Sequence, residues 1–243
     1  MPRDAPKIRL FVEAPLGAGA PVELAPEQAH YLVNVMRLRA GDEALLFNGR
    51  DGEWRARLAE AGRRAARMEC LERTREQTEP PDLWLLFAPL KKTRTDFVAE
   101  KAAELGARRV LPVITRHTNS ERVNAARLRA NAVEAAEQCG ILSVPEVAEP
   151  AKLFDALSGW DPARALHFCD ETMVGAAPAF AEAAPPPAAV LIGPEGGFAP
   201  EEAERLRRLP FARPVSLGPR VLRAETAAVA ALTLWQARAG DWR

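Results

Sequence analysis

The sequence predicts a two-unit α/β protein: a small antiparallel β module comes first, and a larger domain with a mostly parallel sheet follows. Residues 8 to about 75 contain short apolar runs separated by glycine-containing turns, a pattern typical of strands joined in hairpins. From residue 83 onward, short apolar runs alternate with Ala-rich helical patterns. Because such alternation is typical of parallel strands covered by helices, it predicts an α/β layer in the second unit.

The predicted boundary between the two units lies in a polar segment, residues 74–82, that contains the pair Pro80-Pro81. Such composition is typical of a chain that leaves one compact unit for another. We therefore predict domains at 1–77 and 78–243. A length of 243 residues with 48% hydrophobic content is sufficient for two modest cores.

The first domain is expected to form a small β-barrel interrupted by one helix. Its strands are predicted at 8–12, 44–47 and 53–58, with a turn at 48–52 before the last strand. The helix is predicted over 26–37, where apolar and aromatic residues recur at helical spacing. Those residues are Tyr31, Leu32, Val35 and Met36.

The second domain is expected to alternate strands with helices. Thr95 is the expected N-cap of its first helix, and Gly106 is expected to end that helix. A second helix is predicted over 125–139, closed by Gly140. Ligands of a sheet built in this way bind at the carboxyl ends of its strands. The strands are predicted at 83–88, 110–114, 165–169 and 188–192.

Composition argues against a membrane protein and against a metal site. No segment approaches the ~20 apolar residues that a membrane helix needs, and the opening residues are too polar for a secretory signal. A cytoplasmic protein is therefore expected. The cysteines and histidines are scattered without metal-ligand spacing, so we expect reduced thiols and no metal. These residues are Cys70, Cys139, Cys169, His30, His117 and His167.

The net charge is zero, with 33 basic and 33 acidic residues, which argues against a protein that coats nucleic acid through its total charge. The distribution is uneven, because residues 80–140 carry an excess of Lys and Arg. This middle stretch is a candidate for contacts with phosphate groups.

The strongest local signal is a glycine loop that joins a predicted strand to a helix start. The sequence GPEGGF at 193–198 follows the strand at 188–192, and Pro200 with two acidic residues marks the next helix. This arrangement is common in nucleotide sites, although a tight structural turn is an equal interpretation of the loop alone. The loop matches neither the dinucleotide fingerprint nor the P-loop, so a dinucleotide or a triphosphate is not favoured.

A second junction of the same kind lies at 215–226, where a short strand and a Gly-Pro loop precede an Ala-rich helix that continues through Trp235. The two junctions are predicted to form one cleft. Arg220, Arg223 and Glu225 lie where this apolar helix begins, and charges beside buried residues need partners. They indicate either a structural ion pair or a functional site.

Several ordered segments resemble the RsmE family of SPOUT RNA methyltransferases. GPEGGF and LGPRVLRAETA resemble its paired C-terminal motifs, and LKKTRTDFVAEKAAELGARRVLPV and VEAAEQCG resemble its central signatures. RLFVEAPL, HYLVNVMRLRAGDE and FNGRDGEW resemble its N-terminal PUA-like domain, so the likeness spans nearly the whole chain. The chain departs from the family pattern at Ala224, where threonine is frequent, and at Ile141, where arginine is common.

The resemblance implies a SPOUT-like α/β domain with a trefoil knot, preceded by a PUA-like β-barrel, and a homodimer. It further implies S-adenosylmethionine (SAM) as cofactor and methylation of N3 of a uridine in 16S rRNA, in the decoding region of the small ribosomal subunit. Glycine-loop backbone, apolar walls and few charges suit a pocket for this cofactor. The residues expected to bind it are Leu191, Ile192, Gly193, Glu195, Gly196, Leu217, Gly218, Arg220 and Leu222.

Uridine N3 is a weakly acidic imide, so its proton must leave and the resulting anion must be stabilised. We expect Arg223 to stabilise the anion or orient the base. We expect Glu225 or Glu195 to position groups or to accept the proton. An equal interpretation of Glu225 is a helix-start carboxylate that complements the helix dipole.

RNA contacts are expected from basic and polar residues in both domains, whereas Trp54 is favoured as a core residue over a base-stacking platform. The expected RNA-binding residues are His30, Arg37, Arg39, Asn48, Arg50, Lys91, Lys92, Arg94 and Arg116. Two alternatives stay open. One is a different SPOUT activity, such as ribose 2′-O-methylation, and the other is a non-catalytic RNA-binding assembly factor.

Overall fold

The computed structural model describes residues 6, 8–62, 65–120, 122–175 and 178–242, and the chain packs into two compact units. The first unit comprises the chain up to Glu79 together with Ala136–Ser143, and the second comprises Pro80–Ala135 and the chain from Val144 onward. The domain boundary between residues 77 and 78 stays a prediction. The outer ends of the two predicted domains, at residues 1 and 243, lie outside the described residues.

The first unit is built on a five-stranded sheet with the order β1-β3-β4-β5-β2. Strands β3, β4, β5 and β2 pair antiparallel, as the hairpin pattern predicted, whereas β1 pairs parallel with β3. Alternate side chains of these strands enclose an apolar core that includes Leu46, Leu58 and Met68. The strands are β1 (Arg9–Phe11), β2 (Pro21–Glu23), β3 (Glu43–Phe47), β4 (Glu53–Ala61) and β5 (Ala66–Arg75).

The helix of the first unit differs from the predicted one. A short helix α1 (Pro26–His30) continues into a π-helical turn (Tyr31–Val35), in which the Met36 N–H donates to the Tyr31 carbonyl over five residues. The wider turn breaks the 3.6-residue spacing. The predicted apolar face was therefore wrong at its end: Leu32 is buried, but Val35 and Met36 are 56% and 41% exposed.

Arg9 attaches the end of a long helix, α3 (Ala125–Cys139), to the first unit. Its guanidinium pairs with Glu53 at 2.7 Å and donates to the carbonyl oxygens of Ala136 and Glu137 at 2.7 and 2.9 Å. Carbonyl groups at a helix C-terminus lack partners within the helix and carry partial negative charge, so a cation stabilises them. This contact explains why residues 136–143 pack with the first unit.

The second unit is built on a parallel sheet with the order β12-β10-β11-β6-β7-β8, and β9 pairs with β7. One face of the sheet packs against helices α2 and α6, and the other face forms a second apolar cluster around Leu86, Leu166 and Leu191. The strands are β6 (Leu83–Phe87), β7 (Arg109–Ile114), β8 (Glu146–Val147), β9 (Ala151–Lys152), β10 (Ala165–Cys169), β11 (Ala188–Ile192) and β12 (Ala212–Val215). The helices are α2 (Lys92–Glu104), α3, α4 (Leu153–Ala156), α5 (Pro200–Arg207) and α6 (Ala224–Ala239), with a 3₁₀ turn at Glu171–Met173.

The predicted fold class is confirmed, with two local corrections. Helix α2 begins at Lys92 rather than after Thr95, because the Thr95 hydroxyl lies inside the first turn and exchanges hydrogen bonds of 2.9 Å with the Leu90 backbone. The last strand, β12, spans Ala212–Val215, whereas the short strand before the Gly-Pro loop was predicted to begin at Val215. Gly106 and Gly140 do follow their helices with φ of 71° and 69°, where glycine is favoured. In the described part of the chain, no helix is long and apolar enough to cross a membrane.

His167 is a buried titratable group in the middle of strand β10, with no exposed surface. Its Nε2 accepts a hydrogen bond of 3.2 Å from the Ala184 N–H, and its ring contacts Phe180. Burial, with a smaller contribution from Arg213, lowers the pKa of His167 to about 4. The neutral imidazole is therefore the form that this fold accommodates, because protonation of Nε2 removes its acceptor.

We expect the free energy of unfolding to fall as the pH drops from 6.5 to 4. The folded pKa lies below the unfolded value, so the His167 contribution is complete above pH 6.5 and is lost on acidification, by up to about 3 kcal/mol. Urea unfolding across this range should give a shallower pH dependence for His167→Gln than for the wild type. His30→Gln, on an exposed side chain, is the control and should keep the wild-type slope.

Candidate active site

A cleft of about 450 Å³ lies in the second unit, at the carboxyl ends of three adjacent parallel strands. The loops that follow β10, β11 and β12 form its walls, as the general rule for parallel sheets predicts. The start of α6 and one side chain from α2 complete it. The lining residues are Arg94, Cys169, Asp170, Glu171, Val174, Ile192, Gly193, Pro194, Glu195, Phe198, Val215, Leu217, Arg220, Val221, Leu222, Arg223, Ala224 and Ala227.

The glycine loop after β11 depends on two close approaches. A Cβ on Gly193 would lie 2.9 Å from the Phe198 ring, and one on Gly197 would overlap the carboxylate of Glu171. Gly197 also has a φ of 70°, which side chains rarely adopt. Its carbonyl oxygen lies 3.1 Å from His117 Nδ1. Packing from two neighbouring segments thus fixes this loop.

The loop after β12 brings two arginines to the cleft. Gly218 turns the chain with a φ of 105°, and its carbonyl accepts a hydrogen bond of 3.1 Å from Gly175. Arg223 occupies the N-cap position of α6. Arg220 and Arg223 are exposed, and neither guanidinium makes an ion pair within the described ranges. They are free to bind an anion.

The loop after β10 also lines the cleft, although none of its residues is among the predicted site residues. Asp170 is buried and pairs with Arg207 of α5 at 2.5 Å, and it also accepts hydrogen bonds from Thr172. Burial raises the pKa of Cys169 to about 12, so its thiol is not a nucleophile at neutral pH. In the sequence, the acidic pair Asp170 and Glu171 directly after a predicted strand could have indicated that this loop belongs to the site.

A charged cluster joins the cleft wall to two helices. The guanidinium of Arg94, in the first turn of α2, donates to a carboxylate oxygen of Glu195 in the glycine loop. Its Nε lies 3.5 Å from Glu225 Oε1, in the first turn of α6. Arg94 is among the predicted RNA-binding residues, whereas in the structure it pairs with Glu195 and Glu225, two of the three predicted catalytic residues. No group of His, Cys, Asp and Glu in the described ranges is arranged to hold a metal ion.

Six of the predicted cofactor-binding residues line the cleft, and three do not. Leu191 points into the opposite face of the sheet, because side chains alternate along a strand and its neighbour Ile192 takes the cleft side. Gly196 packs next to His117, and Gly218 turns the loop from outside the lining. The six that line it are Ile192, Gly193, Glu195, Leu217, Arg220 and Leu222.

Most of the predicted RNA-binding residues are exposed, but Asn48 is a correction. Its side chain is buried: the amide nitrogen donates to Ala14 and Asp51, and the amide oxygen accepts from two backbone N–H groups. These bonds fix a turn and leave no polar group for RNA. Trp54 packs against the core of the first unit, as favoured, and donates to the Asp51 carbonyl. The exposed residues are His30, Arg37, Arg39, Arg50, Lys91, Lys92 and Arg116.

Comparison with known proteins identifies the family. A model described as an RNA methyltransferase domain matches residues 77–236, and one described as an RNA methyltransferase PUA domain matches 24–68. The chain is 32% identical to ribosomal RNA small subunit methyltransferase E of Synechocystis, over 88% of this chain and 72% of that protein. The chain belongs to the ribosomal RNA small subunit methyltransferase E family. The enzyme of that name from Rickettsia conorii is 29% identical over 92% of this chain and 93% of its own length.

Solved structures of similar proteins share the whole fold. A protein from Legionella pneumophila, determined in complex with bound SAM, is 31% identical, with a TM-score of 0.84 over 96% of this chain and 98% of that one. The ribosomal RNA small subunit methyltransferase E of Neisseria gonorrhoeae, also bound to SAM, is 27% identical, with a TM-score of 0.85 over 97% of this chain and 99% of that one. The predicted family is therefore confirmed.

We expect the ion pair between Arg207 and Asp170 to hold the loop after β10. Removal of Arg207 leaves a carboxylate that is 3% exposed without its cation, so Arg207→Met should lower the free energy of unfolding by about 1–3 kcal/mol. The adjacent Arg208 pairs with Glu204 on the surface, and Arg208→Met should change it by less than about 0.5 kcal/mol. Equal effects in urea unfolding would contradict a structural role for the Asp170 pair.

Proposed function

We propose that the protein transfers the methyl group of SAM to N3 of a uridine in 16S rRNA, in the decoding region of the small ribosomal subunit. The observation that carries this proposal is the cleft at the ends of β10, β11 and β12, at whose wall the guanidinium of Arg223 makes no ion pair with any described residue. Membership in the small-subunit rRNA methyltransferase E family supports the substrate class. The choice of N3 as the methylated atom of the uridine follows from the reaction that the family resemblance implies.

The residues of the cleft fit SAM. A volume of about 450 Å³ lies in the usual range of ligand pockets, ~300–1,000 Å³. Ile192, Leu217 and Leu222 supply apolar walls, and Gly193 leaves its backbone open to close approach. The carboxylate of Glu171, which lines the cleft, would hold the cationic amino group of the ligand. Two similar proteins bind SAM. When bound, SAM supplies a methyl group that its positive sulfonium makes electrophilic.

Arg223 is suited to stabilise the uridine anion. Loss of the N3 proton places negative charge on the uracil carbonyl oxygens, and an adjacent guanidinium can donate hydrogen bonds to them. Its place at the N-cap of α6 adds the positive end of a helix dipole at the same point. Glu195 and Glu225 both pair with Arg94, and one of them accepts the proton or positions the base.

RNA is proposed to bind through exposed basic residues of each unit. Arg37, Arg39 and Arg50 supply them in the PUA-like unit, and Lys91 and Lys92 supply them beside the cleft. Phosphate contacts of this type weaken with salt. The uridine must be unpaired to expose N3, because base pairing occupies that atom.

We further propose domains at 1–77 and 78–243, a trefoil-knotted second domain, a homodimer and a cytoplasmic location, as the family resemblance implies.

The deciding experiment is methyl transfer from labelled SAM to small ribosomal subunits and to naked 16S rRNA, both from a strain that lacks this activity. Nucleoside mass analysis of the product should give 3-methyluridine. A 2′-O-methylated nucleoside would retain the cofactor but overturn the proposed position. SAM binding without transfer to either substrate would support a non-catalytic RNA-binding role instead.

Arg223→Ala should lower the single-turnover rate by about 10²–10³, the usual loss when an anion-stabilising donor is removed. The affinity for SAM, measured by calorimetry, should change by less than about threefold, since the glycine loop and the apolar side chains that fit SAM remain. Arg238→Ala, in the last turn of the same helix, is the matched control and should retain the wild-type rate. An unchanged rate for Arg223→Ala would remove this residue from the catalytic site.

A further inference from the structure

The Arg94 cluster connects three segments that are far apart in the sequence. Arg94 extends from the start of α2, Glu195 from the glycine loop and Glu225 from the start of α6. Different nitrogens of one guanidinium serve the two carboxylates, since Nη1 contacts Glu195 and Nε contacts Glu225. A planar guanidinium with separate donors can fix two anions at once, whereas a lysine ammonium is a single charge centre.

The two carboxylates have different surroundings. The side chain of Glu225 is 16% exposed, and its Oε2 is buried with no hydrogen-bond partner in the described part of the chain. It lies on the helix whose buried face packs into the main core of the second unit. Glu195 is 35% exposed and lines the cleft, which Glu225 does not. Glu225 is thus a partly buried anchor, and Glu195 is the carboxylate that a substrate can reach.

Charge argues against Arg94 as a phosphate contact. One positive charge lies between two carboxylates, so the cluster of Arg94, Glu195 and Glu225 carries a net negative charge at neutral pH. An RNA phosphate would be repelled by this cluster, whereas the nearby Lys92 is exposed and makes no ion pair within the described residues. Arg94 is therefore suited to hold protein carboxylates and not RNA.

We propose that Arg94 is a positioning residue: held by Glu225, it fixes Glu195 at the wall of the cleft, where Glu195 faces the imide of the uracil. This inference rests on the proposed methyl transfer to uridine N3. In the reaction the N3–H bond breaks and its proton passes to a carboxylate oxygen of Glu195. The N3 electron pair forms the bond to the methyl carbon as the bond between that carbon and the sulfur of SAM breaks, and the electron pair of the broken bond stays on the sulfur of the departing S-adenosylhomocysteine. Glu225 then acts only through Arg94.

The first measurement separates this inference from the proposed function. Wild-type protein must form 3-methyluridine on small ribosomal subunits, and failure at this step overturns the proposed function. With an active wild type, Arg94→Met should lower kcat by about tenfold or more, because a displaced catalytic group loses its alignment. The KM for RNA and the affinity for SAM should stay within about twofold of the wild type. Arg94→Lys, which keeps the charge, should recover part of kcat.

A double-mutant cycle tests whether Arg94 acts on the reaction through Glu195, and whether Glu225 acts through Arg94. Glu195→Gln should lower kcat at least as much as Arg94→Met, and the double variant should lose no more than Glu195→Gln alone. Glu225→Gln should give a smaller loss that disappears in the Arg94→Met background. Lys92→Met is the contrast for phosphate contacts and should raise KM, and Arg208→Met, on the exposed pair of α5, should match the wild type.

Loss of folding and loss of an RNA contact would each give results that differ from those expected of a positioning residue. Circular dichroism and urea unfolding without SAM should show folded variants, with non-additive effects of Arg94→Met and Glu225→Gln on the unfolding free energy. If Arg94→Met does not fold, kcat is compared between Arg94→Lys and Glu195→Gln. A partial loss of kcat in Arg94→Lys and a larger loss in Glu195→Gln is the expected result. A raised KM with unchanged kcat for the Arg94 variants would make Arg94 an RNA contact and overturn the proposal. Full kcat in Glu195→Gln would also overturn it.

Discussion

The parallel pairing of β12, β10 and β11 is the constraint on which the rest of the site depends. Parallel strands end at the same edge of a sheet, so the loops after Cys169, Ile192 and Val215 meet there although they are distant in the sequence. The strands are apolar on both faces, so helices cover the sheet and leave that edge as the place where polar loops converge. The cleft follows from this topology.

Arginines from one element that bind carboxylates of another then shape the cleft. Arg207 of α5 holds the buried Asp170, and Arg94 of α2 holds Glu195 and Glu225. A carboxylate removed from water needs such a partner. The pairs with Asp170 and Glu195 each fix a loop to a helix, and the pair with Glu225 joins two helices. Arg220 and Arg223 lack such partners in the described chain and keep their charge for a ligand. The arginines that pair with carboxylates therefore stabilise the structure of the cleft, whereas the two without such partners among the described residues can bind a ligand.

In the first unit, polar side chains satisfy backbone groups. Arg9 satisfies carbonyl groups at the end of α3, and Asn48 satisfies the backbone of a tight turn, so two polar side chains that resemble ligand-binding groups are structural. The π-helical turn after His30 instead exposes Val35 and Met36 next to Arg37. Sequence spacing alone placed these two residues on the apolar face of one regular helix, because one extra residue in a turn leaves no mark in composition.

The sequence by itself determined the α/β class, the strands at 165–169 and 188–192, the helix at 125–139 and the two loops that carry Gly193 and Arg223. Those features depend on local periodicity and on glycine, both of which are readable within a few residues. Tertiary structure alone decided that the loop after β10 joins the cleft, that Leu191 faces away from it, and that Arg94 pairs with carboxylates instead of remaining free. Pairing between distant charges depends on which strands are neighbours, and strand order is a property of the folded sheet.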